Sequence, residues 1–218
     1  MQKIEFIKMH GLGNDFVIID RRKKFIDINK DIINKLSDRK TGAGCDQVIT
    51  IDNNISPDHD ARIKIFNPSG DSAEACGNGT RCIAKLLFEE KKTTNIKLQS
   101  QAGILYAKKI NDDIISVNLG KVSNSWKDIP LAREVDTLNL PLVSKIHTND
   151  SNELNFYFFP FVVAVNVGNP HVIFFGKNIN KFNLEEFGPT IENHELFPEK
   201  TNVEIVEVID RNKIKMRV

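Results

Sequence analysis

Short apolar runs broken by glycine and asparagine turns leave this chain few folds to choose from. IEFIKMH, GLGN and DFVIID read as a strand, a turn and a second strand. In the second half, FPFVVAVNVGNPHVIFF repeats that order around a Gly-Asn turn. VITI follows the tight loop TGAGCDQ, and ARIKIF alternates like a half-buried strand before the turn NPSGD. NIKLQS, GILYAKK and DIISVNL read as an antiparallel series, and TNVEIVEVID and KIKMRV as further strands. Helical spacing is confined to a few places. In DINKDIINKLSDRK, Ile28, Ile32, Ile33 and Leu36 share one face behind Asp27 or Asn29 as N-cap. Ile83, Leu86 and Leu87 form a second stripe that ends near Glu90, and NLEEFGPTIENHELFP is helical in parts. Two halves of strands with one main helix apiece imply an α+β fold of duplicated lobes. The lobes are expected over residues 1–121 and 122–218. The linker is expected inside the weakly periodic stretch from 122 to about 155, which holds Pro130, Pro141 and HTNDSNEL.

Composition removes several classes of function. Lys and Arg number 30 against 29 Asp and Glu, so no charge excess points to nucleic acid or to an anionic membrane. No run approaches the roughly eighteen apolar residues of a membrane span, and MQKIEFIKMHG lacks a signal-peptide core. The 3 cysteines are an odd number without metal-ligand spacing, which fits a reducing compartment. A cytoplasmic protein acting on a small molecule is the expectation.

One cysteine stands in an unusual setting. EACGNGTRCIAK sets Cys76 against Gly-Asn-Gly at the mouth of the second helical stripe, with the helix expected to start near Asn78 or Gly79. Free amides of a first turn point at whatever sits beside the thiol, and the dipole favours its thiolate. Gly77 and Gly79 let a carboxylate approach the backbone. The dipole supplies only ~0.3–1 kcal/mol, less than one pKa unit of about 1.36 kcal/mol, so a second helper such as a histidine is needed. Alone, the motif also fits a buried structural thiol. Cys45, in a glycine loop, and Cys82, within the helix, read as packing residues.

EACGNGTRC resembles the first active-site motif of the diaminopimelate epimerase family. KMHGLGNDFVIID, GAGCDQ, IFNPSGDSAEACGNG, VNVGNPHVI and FPEKTNVEIVEV resemble successive signatures of that family, in order, across the whole chain. The resemblance implies two similar lobes of antiparallel strands around a central helix, with the active site in the cleft between them. It implies inversion at one α-carbon of L,L-2,6-diaminopimelate to the meso isomer, in lysine biosynthesis, without pyridoxal phosphate or metal. In that chemistry two cysteines face opposite sides of the α-carbon, one removing a proton while the other delivers one. By the same resemblance, Cys76 is the first catalytic cysteine, and Gly77 and Asn78 carry the amides that bind the reacting carboxylate. Asn14, Gln47, Asn67, Asn169 and Asn202 match substrate-binding positions. His171 matches a histidine proposed to assist a catalytic cysteine. Singly these residues say less: Asn14 and Asn67 suit turns, His171 suits a strand, and Gln47 alone carries no signal. The implied partners are diaminopimelate and, at most, a second copy of the chain.

The family pattern continues past a strand like KIKMRV into a Glu-Arg pair and a second cysteine motif, neither of which is among these 218 residues. The second lobe is therefore expected to be incomplete at its C-terminus, and a chain ending at Val218 is expected not to epimerise. Two other readings stand beside an epimerase. One is a racemase or isomerase of the same fold for another substrate. The other is a non-catalytic remnant that binds a ligand or a partner.

Overall fold

Two consecutive left-handed residues make the first turn. Strand β1 (Ile7–Gly11) pairs antiparallel with β2 (Asn14–Asp20), Gly11 opposite Asn14, leaving Leu12 and Gly13 between them. Both have positive φ, 54° and 89°, the turn whose twist matches that of a hairpin. The computed structural model describes residues 3–73, 76–142 and 157–218. They divide into two units, Met1–Gly120 and Lys121–Val218.

In the first unit, β3 (Gln47–Asp52), β4 (Ala61–Phe66), β5 (Ser72–Ala73), β6 (Asn95–Ser100), β7 (Gly103–Lys109) and β8 (Ile115–Asn118) complete one sheet. Its order is β1-β2-β3-β4-β6-β7-β8, with β5 on β4. Most pairs are antiparallel, but β2 with β3 and β4 with β6 are parallel. Each parallel pair is joined by a helix, α1 (Lys30–Ser37) for the first and α2 (Gly77–Lys91) for the second. A parallel pair needs such a crossover, because no tight turn can return the chain. Asn29 caps α1, its side chain accepting from the Ile32 amide at 3.0 Å.

Helix α2 touches β1, β2, β6, β7 and β8, so the sheet curls around it. Phe16, Ile18, Ile49, Ile63, Ile83 and Leu87 form the core between them. On the other face of β2 and β3, Val17, Ile19 and Val48 pack under Ile33 of α1. Residues Phe16 to Ile19 are therefore buried on both sides, and their run is continuously apolar rather than alternating.

In the second unit, β9 (Tyr157–Asn166), β10 (Pro170–Lys177), β11 (Asn202–Asp210) and β12 (Lys213–Arg217) make a sheet of order β12-β11-β10-β9. Here too the parallel pair, β10 with β11, is bridged by a helix, α3 (Leu184–Glu192). Val172, Phe174, Val203 and Ile205 point into the core with Leu184 and Ile191. So do Ile129, Leu131, Leu140 and Leu142, from the stretch in which a linker was expected. Over residues 122–142 its backbone is irregular, and Ser123 bridges to Asn166, so that part packs without a periodic pattern. HTNDSNEL lies outside the described residues. No described helix is long and apolar enough to cross a membrane.

Candidate active site

Cys76 does more than precede α2. The helix begins at Gly77, slightly earlier than the sequence suggests, because Cys76 itself is the N-cap, with φ −148° and ψ 105°. Its Sγ accepts the Gly79 amide at 3.4 Å. A thiol is a poorer cap than the oxygen of Ser, Asp or Asn, so helix stability is not the reason for this residue type. The Cys76 thiol donates to Asn14 Oδ1 at 3.6 Å, and Asn78 Nδ2 donates to the same oxygen at 3.5 Å. Asn14 Nδ2 in turn donates to Asp46 Oδ2 at 2.9 Å. A carboxylate only accepts, so Asp46 fixes which end of the Asn14 amide faces the sulfur. Arg39 holds Asp46 at 2.7 Å and Asp15 at 2.8 Å, and the Arg81 guanidinium donates to Asn78 Oδ1.

Burial pushes the Cys76 thiol above its ordinary pKa, even though the Gly79 and Asn78 amides and the Arg81 charge pull it down; Asp46 adds to the rise. The thiolate preference expected from the helix end is outweighed by desolvation. A thiol whose pKa is raised is held toward its protonated form.

The two glycines of the motif differ. A Cβ on Gly79 would stand 2.6 Å from Ile49 Cδ1, so that buried side chain would have to move to admit one. A Cβ on Gly77 would meet nothing nearer than Leu119 Cδ1 at 3.4 Å, an ordinary contact. No contact among the described residues explains why residue 77 lacks a side chain.

Three of the expected binding residues collect with Cys76 at one end of the first sheet. Asn14 opens β2, Gln47 opens β3, and Asn67 follows β4, which runs the opposite way. Gln47 Nε2 donates to Asn67 Oδ1 at 3.0 Å. Gln47 Oε1 is buried with no hydrogen-bond partner among the described residues, an acceptor left for something else. Cys45 and Cys82 are 2% and 4% exposed and belong to the core, as the sequence suggests. No described group of His, Cys, Asp and Glu could hold a metal ion.

The remaining expected residues cluster in the second unit. His171 lies opposite Asn202 across the β10–β11 pair. Its Nδ1 is 2.5 Å from Glu204 Oε1 and its Nε2 is 2.9 Å from Asn169 Oδ1. Asn202 Nδ2 donates to the Pro170 carbonyl at 3.0 Å.

The family described as diaminopimelate epimerase matches residues 6–124 and 163–218, which include every site residue above. The chain belongs to the diaminopimelate epimerase family. It is similar to the diaminopimelate epimerase of Pelagibacter ubique, at 43% identity over 99% of this chain and 75% of that one. The diaminopimelate epimerase of a Wolbachia strain from Drosophila simulans is 42% identical over 98% of this chain and 74% of its own length. Among solved structures, a hydroxyproline epimerase from Agrobacterium vitis shares the fold, with a TM-score of 0.59 at 12% identity over 98% of this chain and 69% of that one. So does a phenazine biosynthesis protein of the PhzF family from Bacillus anthracis, with a TM-score of 0.57 at 18% identity over 100% and 72%. As a diaminopimelate epimerase relative, the chain carries two acidic residues that sequence reasoning passed over, Asp46 and Glu204. The signal for Glu204 was present: an acid interrupts the apolar strand TNVEIVEV. Asp46 lay unremarked inside the motif GAGCDQ.

Proposed function

We propose that this protein inverts one α-carbon of L,L-2,6-diaminopimelate to give the meso isomer, with Cys76 as a proton-exchanging thiol. Family membership supports the reaction, and the observation that carries the role of Cys76 is its thiol seated between the Asn14 carbonyl and the Gly79 amide at the start of α2. An α-proton of an amino acid is a very weak acid, and its removal places charge on the carboxylate. The Gly77 and Asn78 amides are assigned to that carboxylate, where donors aimed at developing charge lower the barrier. Cys76 starts as the acid, delivers its proton to one face, and acts as the base when the reaction runs backward. A thiol on the opposite face must act as its counterpart. Neither Cys45 nor Cys82, both sealed in the core, fits that role.

Asn14, Gln47, Asn67, Asn169 and Asn202 are assigned to the substrate's polar groups, with the orphaned Gln47 Oε1 suited to an ammonium or amide donor. His171 is assigned to proton handling beside a thiol. The reaction, with its reduced thiols, belongs to the cytoplasm.

The test is stereochemical. In a form of the protein that also carries the family's second cysteine motif, incubation with L,L-diaminopimelate is expected to yield meso product on chiral chromatography, and C76A is expected to lose at least about 10²-fold in rate, as removal of a general acid does. Lysine, which lacks the distal carboxylate, is expected to turn over ~10⁴-fold less well, because a site built around polar groups rejects an analogue that leaves them unpaired. Retained activity in C76A would overturn the role of the thiol. Comparable turnover of lysine would move the assignment to another substrate of the same fold.

A further inference from the structure

Glu204 has no role in the reaction as described, yet it is buried where an acid is costly. In the parallel β10–β11 pair, His171 faces Asn202 and Ile173 faces Glu204. Alternation along the strands puts His171, Asn202 and Glu204 on the sheet face opposite Val172, Phe174, Val203 and Ile205, which fill the core. The Glu204 side chain is 4% exposed and that of His171 is 23% exposed, so the carboxylate lies deep and the imidazole lies outside it. Glu204 Oε1 bonds His171 Nδ1, and Oε2 is buried with no partner among the described residues.

We infer that Glu204 is a positioning residue: it fixes the tautomer of His171, keeping a proton on Nδ1 and leaving Nε2 as the nitrogen that gains and loses one. The inference rests on the reading of His171 as a proton-handling residue. Its basis is an asymmetry between the two partners of the ring. A carboxylate can only accept, so Glu204 is satisfied only by Nδ1–H, and at its depth an unpaired charge would be severely penalised. Asn169 is an amide and can serve either state of Nε2. It accepts from Nε2–H through Oδ1, the arrangement seen at 2.9 Å, and after a half-turn of its amide it donates Nδ2–H to a bare Nε2. One partner is fixed and the other adapts, so the proton that moves is the one on Nε2. A neutral imidazole in water prefers the opposite tautomer, with the proton on Nε2, which could not take up a proton on that side. The backbone sets the arrangement: Gly168, at φ 109°, makes the turn that brings Asn169 beside the ring, and the parallel register brings Glu204 to its other edge.

The experiment reads the tautomer directly. Two-bond ¹H–¹⁵N correlation spectra of ¹⁵N-labelled protein, taken above the imidazole titration, separate Nδ1–H from Nε2–H, and H171Q assigns the signal among the 5 histidines. The unsubstituted protein is expected to show Nδ1–H. E204Q, whose amide oxygen still accepts, is expected to keep it. E204M, similar in shape but without an acceptor, is expected to switch His171 to Nε2–H and to lower kcat at least about tenfold with KM little changed. An Nε2–H tautomer in the unsubstituted protein, or an unchanged one in E204M, overturns the inference. Should E204M fail to fold, as judged by circular dichroism, the spectra of the unsubstituted protein and E204Q still decide. If the spectra behave as expected while H171Q epimerises at full rate, the role of His171 fails and the hold of Glu204 on the ring stands.

Discussion

Gly77 and Gly79 stand two apart at the start of one helix and are glycine for different reasons. Gly79 is crowded by Ile49 beneath it, whereas nothing among the described residues presses on Gly77. The sequence alone offers both as places where a carboxylate could reach the backbone, because glycine spacing does not reveal what packs below. The two can be separated by alanine. G79A is expected to cost about 1–3 kcal/mol through overpacking, seen as a lower thermal midpoint. G77A is expected to leave stability within about 0.5 kcal/mol while cutting epimerisation at least about tenfold, since a methyl group would enter the space assigned to the carboxylate. A fully active G77A would remove that carboxylate seat. Arg81 offers a complementary measurement. Its charge is one of the groups holding the Cys76 thiol down, so R81M is expected to raise that pKa further and shift the pH dependence of Cys76 alkylation to higher pH. An unshifted profile would show that the guanidinium does not reach the sulfur.

At the scale of elements, α2 carries a defect at its far end. It stops at Lys92, which adopts the left-handed conformation (φ 51°, ψ 44°) and returns its amide to the Phe88 carbonyl. Glycine is the usual residue there, because a Cβ is strained at positive φ. K92G is expected to stabilise the protein by about 0.5–1 kcal/mol, with a higher melting temperature and unchanged activity. A neutral or destabilising result would mean that the lysine side chain makes a compensating contact. The helix itself was legible from Ile83, Leu86 and Leu87, and its ends to within a residue or two, but the residues that cap it were not. Cysteine is not a residue expected to cap a helix, and a lysine among EEKKTT gives no stop signal. The strands were legible one by one, and their partners were not always so. Whether two strands pair parallel depends on where the intervening helix delivers the chain, as α1, α2 and α3 each do once, and that is a property of the crossover rather than of either strand.

Across the molecule, the ion pairs among described residues gather mostly in the first unit. In the first unit Arg22 pairs with Asp20 and Glu90, Arg39 with Asp15 and Asp46, and Lys91 with Asp60. In the second, the ion pairs among described residues are Lys200 with Glu192 and His171 with Glu204. Arg39, opposed by burial, drives the Asp15 carboxyl far below its usual range, and Arg22 lowers both Asp20 and Glu90. A depressed folded pKa adds stability above the unfolded value of about 4, and that stability is lost as pH falls through the folded value. Each such pair contributes about 1 kcal/mol or less, so acid is expected to weaken the first unit more. The single tryptophan, Trp126, packs against the second core and reports on that unit, whereas far-ultraviolet ellipticity reports on both. Between pH 6 and pH 3, the urea midpoint is expected to fall further by ellipticity than by tryptophan fluorescence. Equal shifts would show that the two units unfold together. The candidate site was legible at a similar grain: ordered motifs put its residues forward, but Asp46 and Glu204 reach their partners across 32 and 33 residues, and only the folded sheet shows those meetings.

On the proposed role, Cys76 is both the reactive group and the cap of its own helix, so the chemistry and the backbone would share a moving part. A thiolate accepts the Gly79 amide more strongly than a thiol does. The first turn of α2 should therefore tighten when the proton leaves and slacken when it returns. The coupling also runs in reverse: fraying of that turn withdraws donors from the sulfur and makes its proton harder to remove. A helix usually serves its active site as a fixed mount, whereas on the proposed role of Cys76 this one would work as a spring.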